Sequence, residues 1–188
     1  MSLPAVVLVG GEGTRLRPLT EKTPKPMLPL LGRPLLAYTF DHLRSGGVDQ
    51  VVLACGYLPT QIEEYFGPRY DGLTLDYRVE PEPLGTGGAI RFGAEPFEET
   101  FLALNGDSLR EADIGALVAF HRSTGAKATI LLARVADPAR YGLVRKDEQG
   151  RVTAFVEKPD PSQVEGLRAR FDTLCAGPTA GGFTTARG

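Results

Sequence analysis

An α/β fold with a mostly parallel sheet is predicted for this 188-residue chain, on three observations. Short runs rich in valine and leucine recur, the pattern of strands buried on both faces. Stretches with helical periodicity alternate with them, and that alternation builds parallel sheets flanked by helices. Glycine- and proline-rich segments follow two of the buried runs directly, at the strand ends where such sheets bind ligands.

Ala5–Val9 is the first buried strand, and it runs into Gly10-Gly11-Glu12-Gly13-Thr14-Arg15. The loop that follows carries Pro18, Pro24, Pro26 and Pro29, too many prolines for a helix. Leu35–Arg44 has helical spacing and stops at Gly46-Gly47. Gln50–Ala54 repeats the buried-strand pattern, and Thr60 can N-cap a helix through Phe66. Leu73–Val79 alternates as a third strand, Gly85–Phe92 begins a helix, and Phe101–Leu104 is a strand ending at Asn105-Gly106-Asp107. Asp113 is the expected N-cap of a helix with Ile114, Leu117, Val118 and His121 on one face. Ala128–Arg134 reads as a strand, and Tyr141–Arg145 with Val152–Glu157 as a hairpin around Gly150. Pro161–Arg170 permits a short helix. Thr173–Gly188 reads as a loose string of Gly, Ala, Thr and Pro without a strand.

Composition narrows the function. Apolar residues make up 42% of the chain, enough for a core, and the net charge of −2 carries no bulk signal for nucleic acid or anionic membrane. Two cysteines and two histidines do not suit a disulfide scaffold or a zinc site. No run approaches a membrane span, and the first residues lack the pattern of a signal peptide, so a cytoplasmic protein is expected.

Three segments can carry chemistry. Glycines after a buried strand let backbone N–H groups face an anion. The segment lacks the Gly-Lys-Ser/Thr of a Walker loop, and Leu16 stands where a dinucleotide fingerprint needs glycine, so a nicotinamide-type oxidoreductase is disfavoured. Alone, the segment also reads as a tight turn. Arg15 suits bidentate phosphate contact, and Lys25 between Pro24 and Pro26 is a second cation on a stiff backbone. Each also reads as a solvated surface charge. Asp107 emerges at the same sheet edge, where Mg²⁺ is commonly held by one or two carboxylates plus substrate phosphates; its plain alternative is a turn or cap residue.

The segments Gly10–Thr20, Pro24-Lys-Pro-Met-Leu-Pro29, Gly32-Arg-Pro-Leu35, Pro83-Leu-Gly-Thr-Gly87, Asn105-Gly-Asp107 and Phe155-Val-Glu-Lys-Pro159 occur in that order. Over Leu3 to Asp160 the chain resembles the sugar-1-phosphate nucleotidyltransferases. The resemblance implies a Rossmann-like, mostly parallel mixed sheet flanked by helices and C-terminally incomplete. It implies a nucleotide-binding catalytic part over residues 1–160, with an irregular tail over 161–188 that does not match the family.

The implied reaction joins a nucleoside triphosphate to a sugar 1-phosphate and releases pyrophosphate, with Mg²⁺ as cofactor. Arg15, Lys25 and Asp107 are the implied catalytic residues, with Asp107 on the metal. Gly10, Gly11, Gly13, Thr14, Arg15, Glu80, Gly85 and Thr86 are implied at the nucleotide, and Gly142, Glu157 and Lys158 at the sugar phosphate.

Glu80 stands where thymidine- and uridine-using relatives carry Gln. A carboxylate only accepts, and guanine offers two adjacent donors, so GTP is favoured. The wording around Glu80 also resembles mannose-1-phosphate guanylyltransferases, which favours mannose 1-phosphate. Thymidylyl or uridylyl transfer to glucose 1-phosphate is the alternative reading, as is a non-catalytic nucleotide-binding module. The family's later Asn-Ala-Gly strand and second metal aspartate have only Cys175-Ala176-Gly177 as an echo, so a truncated or frameshifted reading frame is expected. A homo-oligomer, or pairing with a complete homologue, is compatible with that.

Overall fold

The computed structural model describes residues 2–109, 112–132 and 143–156, with the backbone of 182–186. It forms two compact units, Met1–Glu111 and Ala112–Gly188.

The first unit is built on β1 (Pro4–Leu8), where Ala5, Val6 and Val7 have no exposed surface. Burying a valine side chain contributes about 1.5–3 kcal/mol, so this run fixes the middle of the sheet. Two single turns of 3₁₀ helix follow, Thr14–Leu16 and Lys25–Met27. A small hairpin of β2 (Pro29–Leu30) and β3 (Arg33–Pro34) leads into α1 (Leu35–Ser45), which ends at Gly46 as expected. β4 (Gln50–Cys55) pairs parallel with β1 in the register Pro4↔Gln50.

α2 (Pro59–Phe66) departs from the expected start. Thr60 is not its N-cap; Leu58 takes that place in a left-handed conformation, and Pro59 occupies the first helical turn. Proline is preset for that position and has no N–H to lose there, so it outcompetes a hydroxyl cap one residue later.

β5 (Arg69–Tyr70), β6 (Leu73–Val79), α3 (Gly85–Ala94) and β7 (Leu102–Asn105) complete the unit. The sheet order is β5-β6-β4-β1-β7, parallel throughout except where β5 meets β6. Successive β1 residues face opposite sides. Val6 packs with Ala54 of β4 and with Ala89 and Ala94 of α3. Val7 and Val9 face Leu36 of α1 around Gly106. An aromatic cluster joins the elements on the α1 side: Phe40 meets Phe66 of α2 at 4.9 Å, and Phe66 meets Tyr70 of β5 at 4.8 Å. The expected mostly parallel mixed sheet flanked by helices is therefore present.

In the second unit, α4 (Ile114–Thr124) starts as expected, with the Asp113 side chain accepting from Ala116 N at 2.8 Å. β8 (Ala128–Leu132) precedes an antiparallel hairpin of β9 (Leu143–Lys146) and β10 (Val152–Val156), which turns at Gly150. The Asp147 carboxylate accepts from Gln149 N and Arg151 N and pairs with the Arg151 guanidinium. These contacts, led by the Arg151 backbone bond, hold its pKa below the ordinary value.

The expectation of a strandless stretch after Thr173 is overturned over β11 (Gly182–Ala186), which pairs antiparallel with β8. Phe183, Thr184 and Thr185 are strand formers, but Gly, Ala and Pro on either side hide so short a run. The helix expected over Pro161–Arg170 lies outside the described residues.

Candidate functional site

The carboxyl ends of β1 and β7 open onto a cavity of about 340 Å³ lined by Leu8, Val9, Gly11, Gly13, Thr14, Arg15, Leu16, Lys25, Pro26 and Asp107. Three separated segments meet there, and each is placed by its own local chemistry.

The glycine-rich loop leaves β1 and turns at Gly13, whose φ of 61° and ψ of 32° lie in the left-handed region. A Cβ at that position would stand 2.9 Å from Thr20 Cγ2 and 3.2 Å from Lys25 Cβ, so both conformation and packing require glycine. The turn Thr14–Leu16 follows and presents Arg15, which is exposed and has no ion-pair partner among the described residues. Its neighbour Arg17 is engaged with Glu12 at 3.2 Å.

Thr20 closes the loop from below. It is 1% exposed, and its hydroxyl donates to the Gly13 carbonyl at 2.8 Å. The chain beyond it is held from outside: Tyr57 Oη donates to Glu21 O at 2.9 Å, and Gln61 Nε2 to Lys22 O at 2.9 Å. Sequence reasoning gave these three residues no role, although Thr20 closes the Gly10–Thr20 segment that carries the resemblance. Nothing sets Thr20 apart from Thr14 and Thr23 in the same loop, and Tyr57 and Gln61 carry no signal at all.

Lys25 begins the second 3₁₀ turn between two buried prolines, Pro24 and Pro26. Its Nζ lies 2.6 Å from Asp107 Oδ2, and each side chain is 33% exposed. The other Asp107 oxygen accepts from Ser108 Oγ at 3.2 Å. Asp107 is brought to the cavity by Gly106, whose N–H donates to Leu8 O at 2.9 Å. A Cβ on Gly106 would approach Val9 to 2.8 Å and Val7 to 3.0 Å.

Glu80 follows β6 directly, and Gly85 and Thr86 open α3 beyond the Pro81–Pro83 turn. Glu80 N donates to Cys55 O, and Glu80 Oε2 accepts from Leu84 N at 3.0 Å, which fixes the carboxylate across the Pro81–Pro83 turn. Its Oε1 lies 3.4 Å from where a Gly10 Cβ would be, so the carboxylate faces the start of the glycine-rich loop. The Cys55 thiol next to it is pushed up to about 12 by burial, with smaller contributions from the Glu63 and Glu80 charges. Of the expected site residues, Gly11, Gly13, Thr14, Arg15, Lys25 and Asp107 thus share one cavity. Gly10 and Glu80 adjoin it. Gly142, Glu157 and Lys158 lie outside the described residues.

A parallel sheet with paired cations and a carboxylate at its carboxyl edge is an α/β protein of the kind that binds ligands beyond its strand ends. Residues 4–171 match the nucleotidyl transferase family, and the chain belongs to that family. It is 44% identical over 167 residues to the mannose-1-phosphate guanylyltransferase of Mycobacterium tuberculosis, covering 88% of this chain and 46% of that protein. It is 43% identical over 155 residues to the D-glycero-α-D-manno-heptose 1-phosphate guanylyltransferase of Aneurinibacillus thermoaerophilus, covering 82% and 67%.

The chain thus spans about half the length of the first of these relatives. Among solved structures, HddC from Yersinia pseudotuberculosis complexed with GMP-PN superposes with a TM-score of 0.67 at 28% identity, over 97% of this chain and 73% of that one. UTP-bound UGPase from Acinetobacter baumannii shares the fold, with a TM-score of 0.73 at 19% identity over 100% and 86% of the two chains. Among the described residues, no helix is long and apolar enough to cross a membrane.

Proposed function

We propose that this chain carries the nucleotide-binding part of a sugar-1-phosphate guanylyltransferase, with GTP as donor and mannose 1-phosphate as favoured acceptor. The observation that carries the reading is the meeting of Arg15, Lys25 and Asp107, from three separate segments, in one cavity at the strand ends. A phosphate oxygen of the sugar 1-phosphate forms a bond to the α-phosphorus of the triphosphate. The bond from that phosphorus to the bridging oxygen breaks, and pyrophosphate leaves with the electron pair. No protein nucleophile is needed, so positioning and charge neutralisation account for the catalysis.

In this reading the glycine-rich backbone receives the triphosphate, and Arg15 neutralises charge that builds on it in the transition state. Lys25 sits at the reacting phosphates. Glu80 accepts from guanine, and the guanylyltransferase relatives favour the same base. Gly85 and Thr86 line the turn behind it, and Gly142, Glu157 and Lys158 are assigned to the sugar phosphate. The fitting compartment is the cytoplasm.

The donor set also fits Mg²⁺. Asp107 offers a hard oxygen ligand at the strand end, and Mg²⁺ is commonly held by one or two carboxylates together with phosphate oxygens and water. When bound, the ion neutralises negative charge on the phosphates. Asp107 would hold it, and Lys25 would exchange its present carboxylate partner for phosphate.

The test is calorimetric binding of GTP, dTTP and UTP, each with Mg²⁺, followed by pyrophosphate release with mannose 1-phosphate. Preferential GTP binding supports the guanylyl site. Preference for UTP or dTTP would replace it with the uridylyl or thymidylyl reading, and binding without pyrophosphate release would leave a binding module.

A further inference from the structure

We propose that Thr20 is a positioning residue, one that aims Arg15 and Lys25 by holding the Gly13 carbonyl from inside the loop. The role assigned to those two cations is that of the proposed function, and the inference rests on that reading.

Thr20 is one of two buried polar residues among those described. A carbonyl has two lone pairs, and Gly13 O uses both: it accepts from Thr20 Oγ1 at 2.8 Å and from Leu16 N at 2.9 Å. The second bond closes the turn that carries Arg15. The first fixes which way the whole Gly13–Thr14 peptide faces. In a planar trans peptide the C=O and N–H point in opposite directions. A carbonyl drawn down to Thr20 therefore turns the Thr14 N–H away from Thr20. Thr14 and Arg15 both line the cavity.

The methyl of Thr20 has a second task. It stands 2.9 Å from the missing Gly13 Cβ, and Lys25 Cβ stands 3.2 Å from the same point. Thr20 and Lys25 thus both crowd the Gly13 position, and the Thr20 hydroxyl holds the carbonyl of the residue that both of them border. The backbone beyond Thr20 cannot easily absorb a shift, because Tyr57 and Gln61 hold the carbonyls of Glu21 and Lys22.

Two substitutions separate aiming from packing. Thr20→Val keeps the shape and deletes the donor; the fold should persist, because Gly13 O keeps its bond from Leu16 N. Thr20→Ser keeps the donor and deletes the methyl. Amide hydrogen exchange at Leu16 should speed up about fivefold in T20V, the size one neutral hydrogen bond supports, and stay near wild type in T20S. With GTP–Mg²⁺ and mannose 1-phosphate, kcat of T20V should fall about tenfold, as expected when a reacting group is misplaced. KM for the sugar phosphate should hold within about twofold, and T20S should recover most of the kcat.

Wild-type exchange and turnover in T20V would overturn the inference. So would T20S falling as far as T20V in both readouts, because that result assigns Thr20 to packing alone. If the wild-type protein neither binds GTP nor turns over, the proposed function fails. Exchange at Leu16 in the two variants then still decides whether the hydroxyl holds the turn.

Discussion

At the residue scale, the site combines groups that are engaged with groups that are free. Arg15 is exposed, and no carboxylate holds it among the described residues. Arg15→Ala should therefore change the unfolding free energy by no more than about 0.5 kcal/mol. The same substitution should lower turnover about 100- to 1000-fold, the usual loss when a donor aimed at transition-state charge is removed. Urea denaturation and pyrophosphate release measure the two effects separately. Near-normal turnover would remove Arg15 from the phosphate role.

Glu80 is the opposite case, because one of its oxygens already accepts from Leu84 N. Gln at this position keeps an acceptor for that bond and turns the other oxygen into a donor. Glu80→Gln should weaken GTP binding about tenfold, in line with the loss of a charge-assisted hydrogen bond. It should also improve binding of UTP or dTTP. An unchanged base preference in a calorimetric series would refute guanine reading by Glu80.

At the scale of elements, the most exacting junction is between β1 and β7. Gly106 sits where any side chain meets Val7, Val9 and Leu36. Gly106→Ala should cost about 1–3 kcal/mol, as overpacking of a closed core does, read as a lower urea midpoint. Loss of stability without a fall in GTP affinity would show that Asp107 keeps its place when the junction loosens.

The elements also show what a sequence reveals. Ala5–Val9, Gln50–Ala54 and Leu73–Val79 were readable because burial on both faces, or on alternate residues, leaves a mark in the side chains. Asp113 was readable because a cap lies next to the helix it serves. Lys25 meeting Asp107 was legible only through resemblance, since the contact spans most of the unit. The left-handed Leu58, the two-residue strands and β11 leave too short a mark for periodicity. Thr20 hides for another reason: its partner is a backbone carbonyl, and nothing in a sequence shows which carbonyl a hydroxyl will reach.

At the scale of the molecule, ligand binding and stability are one measurement. A ligand at 100 times its Kd stabilises the form that binds it by about 2.7 kcal/mol. GTP with Mg²⁺ should therefore raise the thermal midpoint, and GTP alone should raise it less, because the Asp107 carboxylate on the cavity wall is the group assigned to the metal. Equal shifts with and without Mg²⁺ would remove the metal from the binding step.

Cys55 gives an independent gauge. It is fully buried at the end of β4, and its thiol is pushed up to about 12, so little thiolate exists at neutral pH. In a Cys175→Ser background, a disulfide reagent should modify Cys55 no faster than the first unit opens, and GTP–Mg²⁺ should slow it further. Rapid labelling of native protein would show that β4 opens locally at the sheet edge beside Glu80.

The strand order bears on how the molecule comes off the ribosome. β1 precedes both of its neighbours in the chain, yet it lies between β4 and β7, and its pairing with β7 runs from Ala5 to Leu102. A nascent chain halted before Leu102 leaves one side of its most apolar strand without a hydrogen-bonding neighbour. Such long-range closure is slow, and an unpaired apolar strand is prone to wrong partners while it waits. Within the first unit, β1 is thus made before both of its neighbours and enclosed only when β7 arrives, and it is the segment a chaperone would be expected to shield.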